Sequence, residues 1–202
     1  MHRPVPPHLI LASSSMTRLQ MLRSAGLTVE AMPARVDEDA VKRAMVSEGA
    51  NPRDVADALA DGKARKVAGK QGGLVLGCDQ VLAFEGEVLS KPENVEDAKV
   101  QLLRLGGQRH MLFSSAVIYE DAKPVWRHVG VARMHMRAPS PGYLEDYLDR
   151  NWDSVRHSVG GYKVEEEGAR LFTRIEGDQF TVLGMPLLEI LSYLVLRGTL
   201  SA

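Results

Sequence analysis

The stretch from Leu9 to Arg18, LILASSSMTR, runs an apolar segment straight into three serines and then into what reads as a helix. Leu9, Ile10 and Leu11 have the continuous apolar character of a strand buried on both faces. Ser13, Ser14 and Ser15 then place hydroxyls and unpaired backbone N–H groups at a helix N-terminus. Such an end attracts phosphate, and Arg18, one turn further on, adds a forked cation suited to two phosphate oxygens. The helix is expected from about Met16 to Ala25, closed by Gly26, with an extended piece around Val29 completing a strand, helix, strand unit.

Further along, Pro52 to Lys70 carries Val55, Ala56, Leu59, Lys63 and Val67 at helical spacing, which puts Lys63 on or near the inward stripe. A buried strand is expected at Leu74 to Leu76, interrupted at Gly77, with a second extended run from Val81 to Phe84. A turn at Glu85 and Gly86 leads back toward Lys91 and Pro92. A helix follows from about Val95 to Leu105, then strands at 111–119 and 125–137, and a helix after Pro139 to Pro141 with Tyr143, Leu144, Tyr147 and Leu148 as its apolar face. A glycine-rich turn, VGGYKVEEEG, precedes a strand near Leu171 to Ile175. The turn GDQF and a closing core helix over Pro186 to Leu196 end the chain. Strands mixed with helices, without repeats or long linkers, indicate an α/β fold with a mixed sheet in a single domain over residues 1–202.

Asp79 is placed by this pattern just beyond a strand's carboxyl end, where α/β proteins put functional side chains; a surface turn aspartate is the alternative. Asp37 and Glu38 form an acidic pair that either ligates Mg2+ or Mn2+ or is a solvated loop. Lys63 and Lys91 are open to the same two readings, with Lys91 held extended by the following proline. Cys78 reads as a small buried residue, because no histidine lies near it in sequence to activate it.

The formal net charge of -1 leaves no global field to recruit nucleic acid or anionic membrane. One cysteine forms no internal disulfide, and the N-terminus MHRPVPPHLILA lacks a secretory apolar region, so a cytoplasmic location is expected. The phosphate loop GxxxxGKS or GxxxxGKT, the dinucleotide fingerprint GxGxxG, the zinc motif HExxH and paired CxxC are all missing. The histidines, His2, His8, His110, His128, His135 and His157, have no metal-ligand spacing.

Taken in order, LILASSSMTR, the acidic VDE, LADGKA, GCDQV, SKP, GGYKVEEEG and IEGDQFTVLGMPL resemble the Maf family of nucleotide pyrophosphatases over about Leu9 to Leu188. The resemblance implies an α/β fold with an elongated, strongly twisted mixed sheet, flanking helices and two lobes around a central cleft, as in Maf and ITPase proteins. It implies hydrolysis of the α–β phosphoanhydride bond of nucleoside triphosphates, modified ones included, with a divalent cation (Mg2+, Mn2+ or Co2+), and a homodimer that binds neither nucleic acid nor membrane. Matched motif by motif, it makes Asp79, Glu38, Lys91 and Lys63 catalytic, Asp79 and Glu38 metal-binding, Ser13, Ser14, Ser15 and Arg18 phosphate-binding, and Thr17, Gln80 and Glu165 determinants of specificity. Gln80 and Glu165 resemble the branch acting on 7-methyl-GTP, whereas Thr17 stands where that branch tends to carry tryptophan. The alternative is a nucleotide-binding regulator of septum formation with little turnover.

Overall fold

The computed structural model describes residues 8–201; the seven residues before them, with His2 and most of the stretch examined for a leader, and Ala202 lie outside the described residues. Strand β1 (His8–Leu11) pairs in parallel with β2 (Thr28–Ala31) on one side and with β3 (Leu74–Phe84) on the other. β3 is antiparallel to the short β4 (Glu87–Leu89) and to β5 (Arg109–Glu120); β5 continues to β6 (Lys123–Met136) and β6 to β7 (Phe172–Glu176). The result is the expected mixed sheet, ordered β2-β1-β3-β5-β6-β7 with β4 on the far part of β3.

Helices α1 (Met16–Ser24), α2 (Glu38–Ser47), α3 (Pro52–Ala68), α4 (Val95–Leu105), α5 (Pro141–Val155), α6 (Gln179–Val182) and α7 (Leu187–Leu196), with short 3-10 turns at Val159–Gly161 and Glu167–Leu171, complete the described chain. Side chains that prefer caps set many of the starts: Ser15, Asp37, Asn51, Asn94, Ser140 and Asp178 each accept a bond from the backbone N–H three residues on. Two segments differ from expectation for this reason. The acidic VDE is no loop, because Asp37 caps α2 and Glu38 is its first residue, and GDQF opens the short α6 under Asp178. No helix among the described residues is long and apolar enough to cross a membrane.

The expected break at Gly77 does not occur either. β3 runs unbroken for 11 residues, and Asp79 lies inside it rather than past its end. Gly77 is glycine because α3 crosses there: a Cβ would stand 2.2 Å from the Ala60 carbonyl oxygen and 2.6 Å from the Ala64 nitrogen. The missing side chain marks a close helix approach, not a turn.

Alternation along β3 then sorts residues onto two faces. Val75 and Val81 pack toward α3, while Leu74, Leu76 and Cys78 join one core with α1 and α7, and Leu82 and Phe84 join another with α4 and α5. Gln80 and its β5 partner Ser114 fall at the boundary between those two cores. β1 pairs with β3 only as far as Leu76, and β4 joins it only from Leu82. Between those points one edge of β3 is open, and a cleft forms at that gap.

Behind the cleft wall, His110 is buried on β5, its Nε2 2.7 Å from the Tyr162 hydroxyl and its Nδ1 without a partner. Burial, with a smaller push from His135, lowers its pKa to about 4 from 6.5. A base depressed on folding is protonated first in the unfolded chain, so its contribution is complete above pH 6.5 and is lost as pH falls toward 4. The stability lost over that range is on the order of 3 kcal/mol. Urea unfolding at pH 7, 5.5 and 4.5 should show that decline in the wild type and a shallower one in His110→Leu; equal slopes would remove His110 from the account.

Candidate active site

The cleft is a cavity of about 580 Å3 whose lining includes Ser13, Ser14, Ser15, Thr17, Arg18, Glu38, Lys42, Lys63, Asp79, Gln80, Lys91 and Glu165. Apart from Asp37, whose side chain caps α2 and lines a separate groove, the residues singled out in the sequence as site candidates therefore converge, although they come from α1, α2, α3, β3 and three loops. Its size suits a nucleotide.

At the centre Lys63 joins two carboxylates. Its Nζ is 2.7 Å from Glu38 Oε1 and also bonds Asp79 Oδ1. Lys63 and Asp79 are 7% and 5% exposed, so neither charge is carried by solvent and each depends on the other. The geometry follows from the fold: Asp79 faces α3 from the same side of β3 as Gly77, and the close approach at Gly77 brings Lys63 onto it. Burial works against the charge of Glu38, but the ammonium of Lys63 bonded to it, with those of Lys91 and Lys42 nearby, holds its carboxyl below the usual carboxylate range.

Arg18 forms the opposite wall, and its fork is not free as the sequence suggested. Nε donates to the Gly184 carbonyl at 2.9 Å and Nη1 to the Cys78 carbonyl at 3.1 Å. The Leu76 carbonyl is taken by Ala12 N–H; two residues on, where β1 has ended, Arg18 takes its place as donor to β3. Gly184, at φ +103, is held so close that a Cβ would meet Nη2 at 3.2 Å. Nη2 is left for a ligand. Ser13 Oγ accepts from Ser15 N–H and Ser15 Oγ from Arg18 N–H, so two of the three serines shape the turn, and Ser14 is exposed.

Gln80 is also fixed. Its Nε2 donates to Ser114 Oγ at 3.0 Å and to the carbonyls of Thr181 and Val182 at 3.2 and 3.0 Å. Two backbone carbonyls require the amide nitrogen there, which leaves Oε1 as an acceptor. Lys91 and Glu165 are exposed on the rim, and Thr17 lies where the cleft meets an apolar groove lined by Met21, Phe180 and Leu187. Cys78, buried and with its thiol pushed up to about 12, is the inert residue expected.

Sequence reasoning passed over Lys42, and also Ser154 in the last turn of α5 and His157 and Lys163 beyond it, which line the cleft. The signal for Lys42 was present: with α2 recognised, it lies four residues after Glu38 on the same helix face. The cleft lining holds the cations Arg18, Lys42, Lys63, Lys91 and Lys163 beside the carboxylates Glu38, Asp79, Asp153 and Glu165, and the cations Arg18, Lys42 and Lys63 gather at its inner end, an arrangement suited to a polyanion with a bound metal.

A family model described as Maf-like protein matches residues 8–196. A nucleoside triphosphate pyrophosphatase of Roseobacter denitrificans is 59% identical over 97% of this chain and 99% of that protein. One of Ruegeria pomeroyi is 58% identical over 95% and 97%. A 7-methyl-GTP pyrophosphatase of Mesorhizobium japonicum is 47% identical over 95% of this chain and 97% of that one.

Proposed function

This chain belongs to the Maf family, and from that premise we propose that it hydrolyses nucleoside triphosphates at the α–β bond, releasing a nucleoside monophosphate and pyrophosphate. The observation that carries the reading is the Glu38–Lys63–Asp79 chain, buried at Lys63 and Asp79, inside a nucleotide-sized cleft that holds Arg18, Lys42 and Lys91 as well. Water adds to the α phosphorus, its proton passes to Asp79, and the bond to the bridging oxygen breaks with its electrons on the departing pyrophosphate. Lys63, Lys91 and Arg18 Nη2 neutralise charge that grows on the phosphates, and the fixed donors of the serine turn need no rearrangement to do so. No nucleophilic side chain is required, in keeping with an inert Cys78.

A divalent cation fits the donor set. Glu38 and Asp79 offer two carboxylates side by side, and Mg2+ is commonly held by one or two carboxylates plus substrate phosphates. Among the described residues no group of three histidine, cysteine or acidic side chains converges, so the cation would share its shell with the substrate rather than sit in a protein cage. When bound it supplies charge neutralisation at the phosphates. Lys63, which bridges the two carboxylates, would keep them oriented beside the phosphate chain.

For the base, Gln80 Oε1 and the Glu165 carboxylate are both acceptors, matched to the N–H donors on the Watson–Crick edge of guanine, and a carboxylate favours the cationic ring of 7-methylguanine. Incubation with GTP, 7-methyl-GTP, ATP, CTP, UTP and dTTP and a divalent cation, with monophosphate and pyrophosphate assayed, tests both statements. Monophosphate and pyrophosphate should form, with kcat/KM for 7-methyl-GTP at least tenfold above dTTP, about 1.4 kcal/mol and within what one paired base contact supplies. No pyrophosphate from any of them would refute the activity; a pyrimidine preference would refute the base assignment alone.

A further inference from the structure

We propose that Lys42 is a ligand of the substrate's polyphosphate chain, a further binding residue on the α2 wall of the cleft; the proposal rests on the cleft being a nucleoside triphosphate site. The single buried residue of α2 is this lysine, 7% exposed, while its apolar neighbours Val41 and Met45 are only half-buried. A surface helix ordinarily turns an apolar stripe inward; a lysine in that place buries its stem and keeps its ammonium where water or an anion can reach it. Among the described residues no carboxylate forms an ion pair with Lys42 and no acceptor takes its N–H groups, whereas Lys63 has both Glu38 and Asp79. Arg18 likewise has Nε and Nη1 committed to carbonyls.

Lys42 is thus the buried cation of the cleft with no protein acceptor. It lies one helical turn beyond Glu38 on the same face, in the cavity lining with Arg18, Lys63 and Lys91. Its charge reaches Glu38, whose carboxyl it helps to hold ionised. A polyphosphate in the cavity gives this ammonium oxygen acceptors: the stem is buried while Nζ reaches the cleft, so a phosphate oxygen can take the place of water there without the side chain moving. Polyphosphate, with more charge than a monophosphate, gains most from it.

Calorimetric titration of inorganic tripolyphosphate with Mg2+ into the wild type, Lys42→Met and Lys42→Arg tests this without any turnover. Lys42→Met should weaken binding at least tenfold, and Lys42→Arg should recover it to within about threefold. Because the change removes no ion pair or hydrogen bond among the described residues, ligand-free Lys42→Met should melt within about 3 °C of the wild type, the small cost of losing its through-space effect on Glu38. Equal binding by Lys42→Met overturns the proposal, as does a larger drop in its melting temperature, which marks a structural lysine, or no binding by the wild type. Failure of the nucleotide panel alongside a Lys42-dependent tripolyphosphate site would instead count against the pyrophosphatase reading alone.

Discussion

Asp79→Asn should lower kcat by about 10²- to 10⁴-fold, the range attached to loss of a positioned general base, with a smaller rise in KM from the weakened hold on the shared cation, while the protein still folds. Asparagine keeps the shape of the side chain and an oxygen that accepts from Lys63, so the buried ammonium retains that contact and its bond to Glu38. It cannot take a proton from water. Complete removal of a partner from a buried pair costs several kcal/mol; here the second carboxylate and the conserved shape should hold the loss well below that. Single-turnover hydrolysis beside a thermal melt separates the two effects. Activity within tenfold of wild type, in a normally folded variant, would take the proton-accepting role from Asp79 and leave Glu38 as the candidate.

The position of Asp79 also shows where sequence reading stops. That it follows an apolar run was visible, and so was its place between Gly77 and Lys91. What decides its chemistry is α3 lying against Gly77, because that contact sets Lys63 on the aspartate, and a close approach of two elements distant in sequence leaves only a missing side chain behind it. A glycine in an extended run therefore reads as a break when it is a slot. The serine turn was legible because capping is local: Ser15 acts on the N–H three residues away. Arg18 was legible as a cleft residue, but its commitments to Cys78 and Gly184 were not, since both acceptors are backbone carbonyls and carry no residue signature. For α2 the local signals existed, Asp37 as cap with Glu38 and Asp39 in the first turn, and the acidic cluster hid them by resembling a solvated loop.

Gly77→Ala should be strongly damaging for a single-methyl change, to stability and activity together. The added Cβ would meet the Ala60 carbonyl oxygen at 2.2 Å, the Ala64 nitrogen at 2.6 Å and the Ala64 Cβ at 2.8 Å. Two of these atoms are helix backbone, which cannot swing aside as a long side chain can, so α3 itself must lift from β3. Overpacking of this kind costs about 1–3 kcal/mol and more where the backbone has to move, and in a chain of this length each kcal/mol lowers Tm by roughly 2–4 °C. Lys63 lies between Ala60 and Ala64 in sequence, so the same displacement draws its Nζ away from Asp79. Misplacement by about 1 Å can cost 10²-fold in rate, and kcat should fall by that order even at temperatures where the variant is fully folded. Gly62→Ala provides the opposite case on the same helix: its Cβ would meet nothing within 4 Å, and alanine in a helix interior is favoured by about 1 kcal/mol, so Tm should rise with activity kept. If Gly77→Ala melts and turns over like the wild type, the helix approach at Gly77 is not what seats Lys63, and the Glu38–Lys63–Asp79 chain must be held by some other contact of α3.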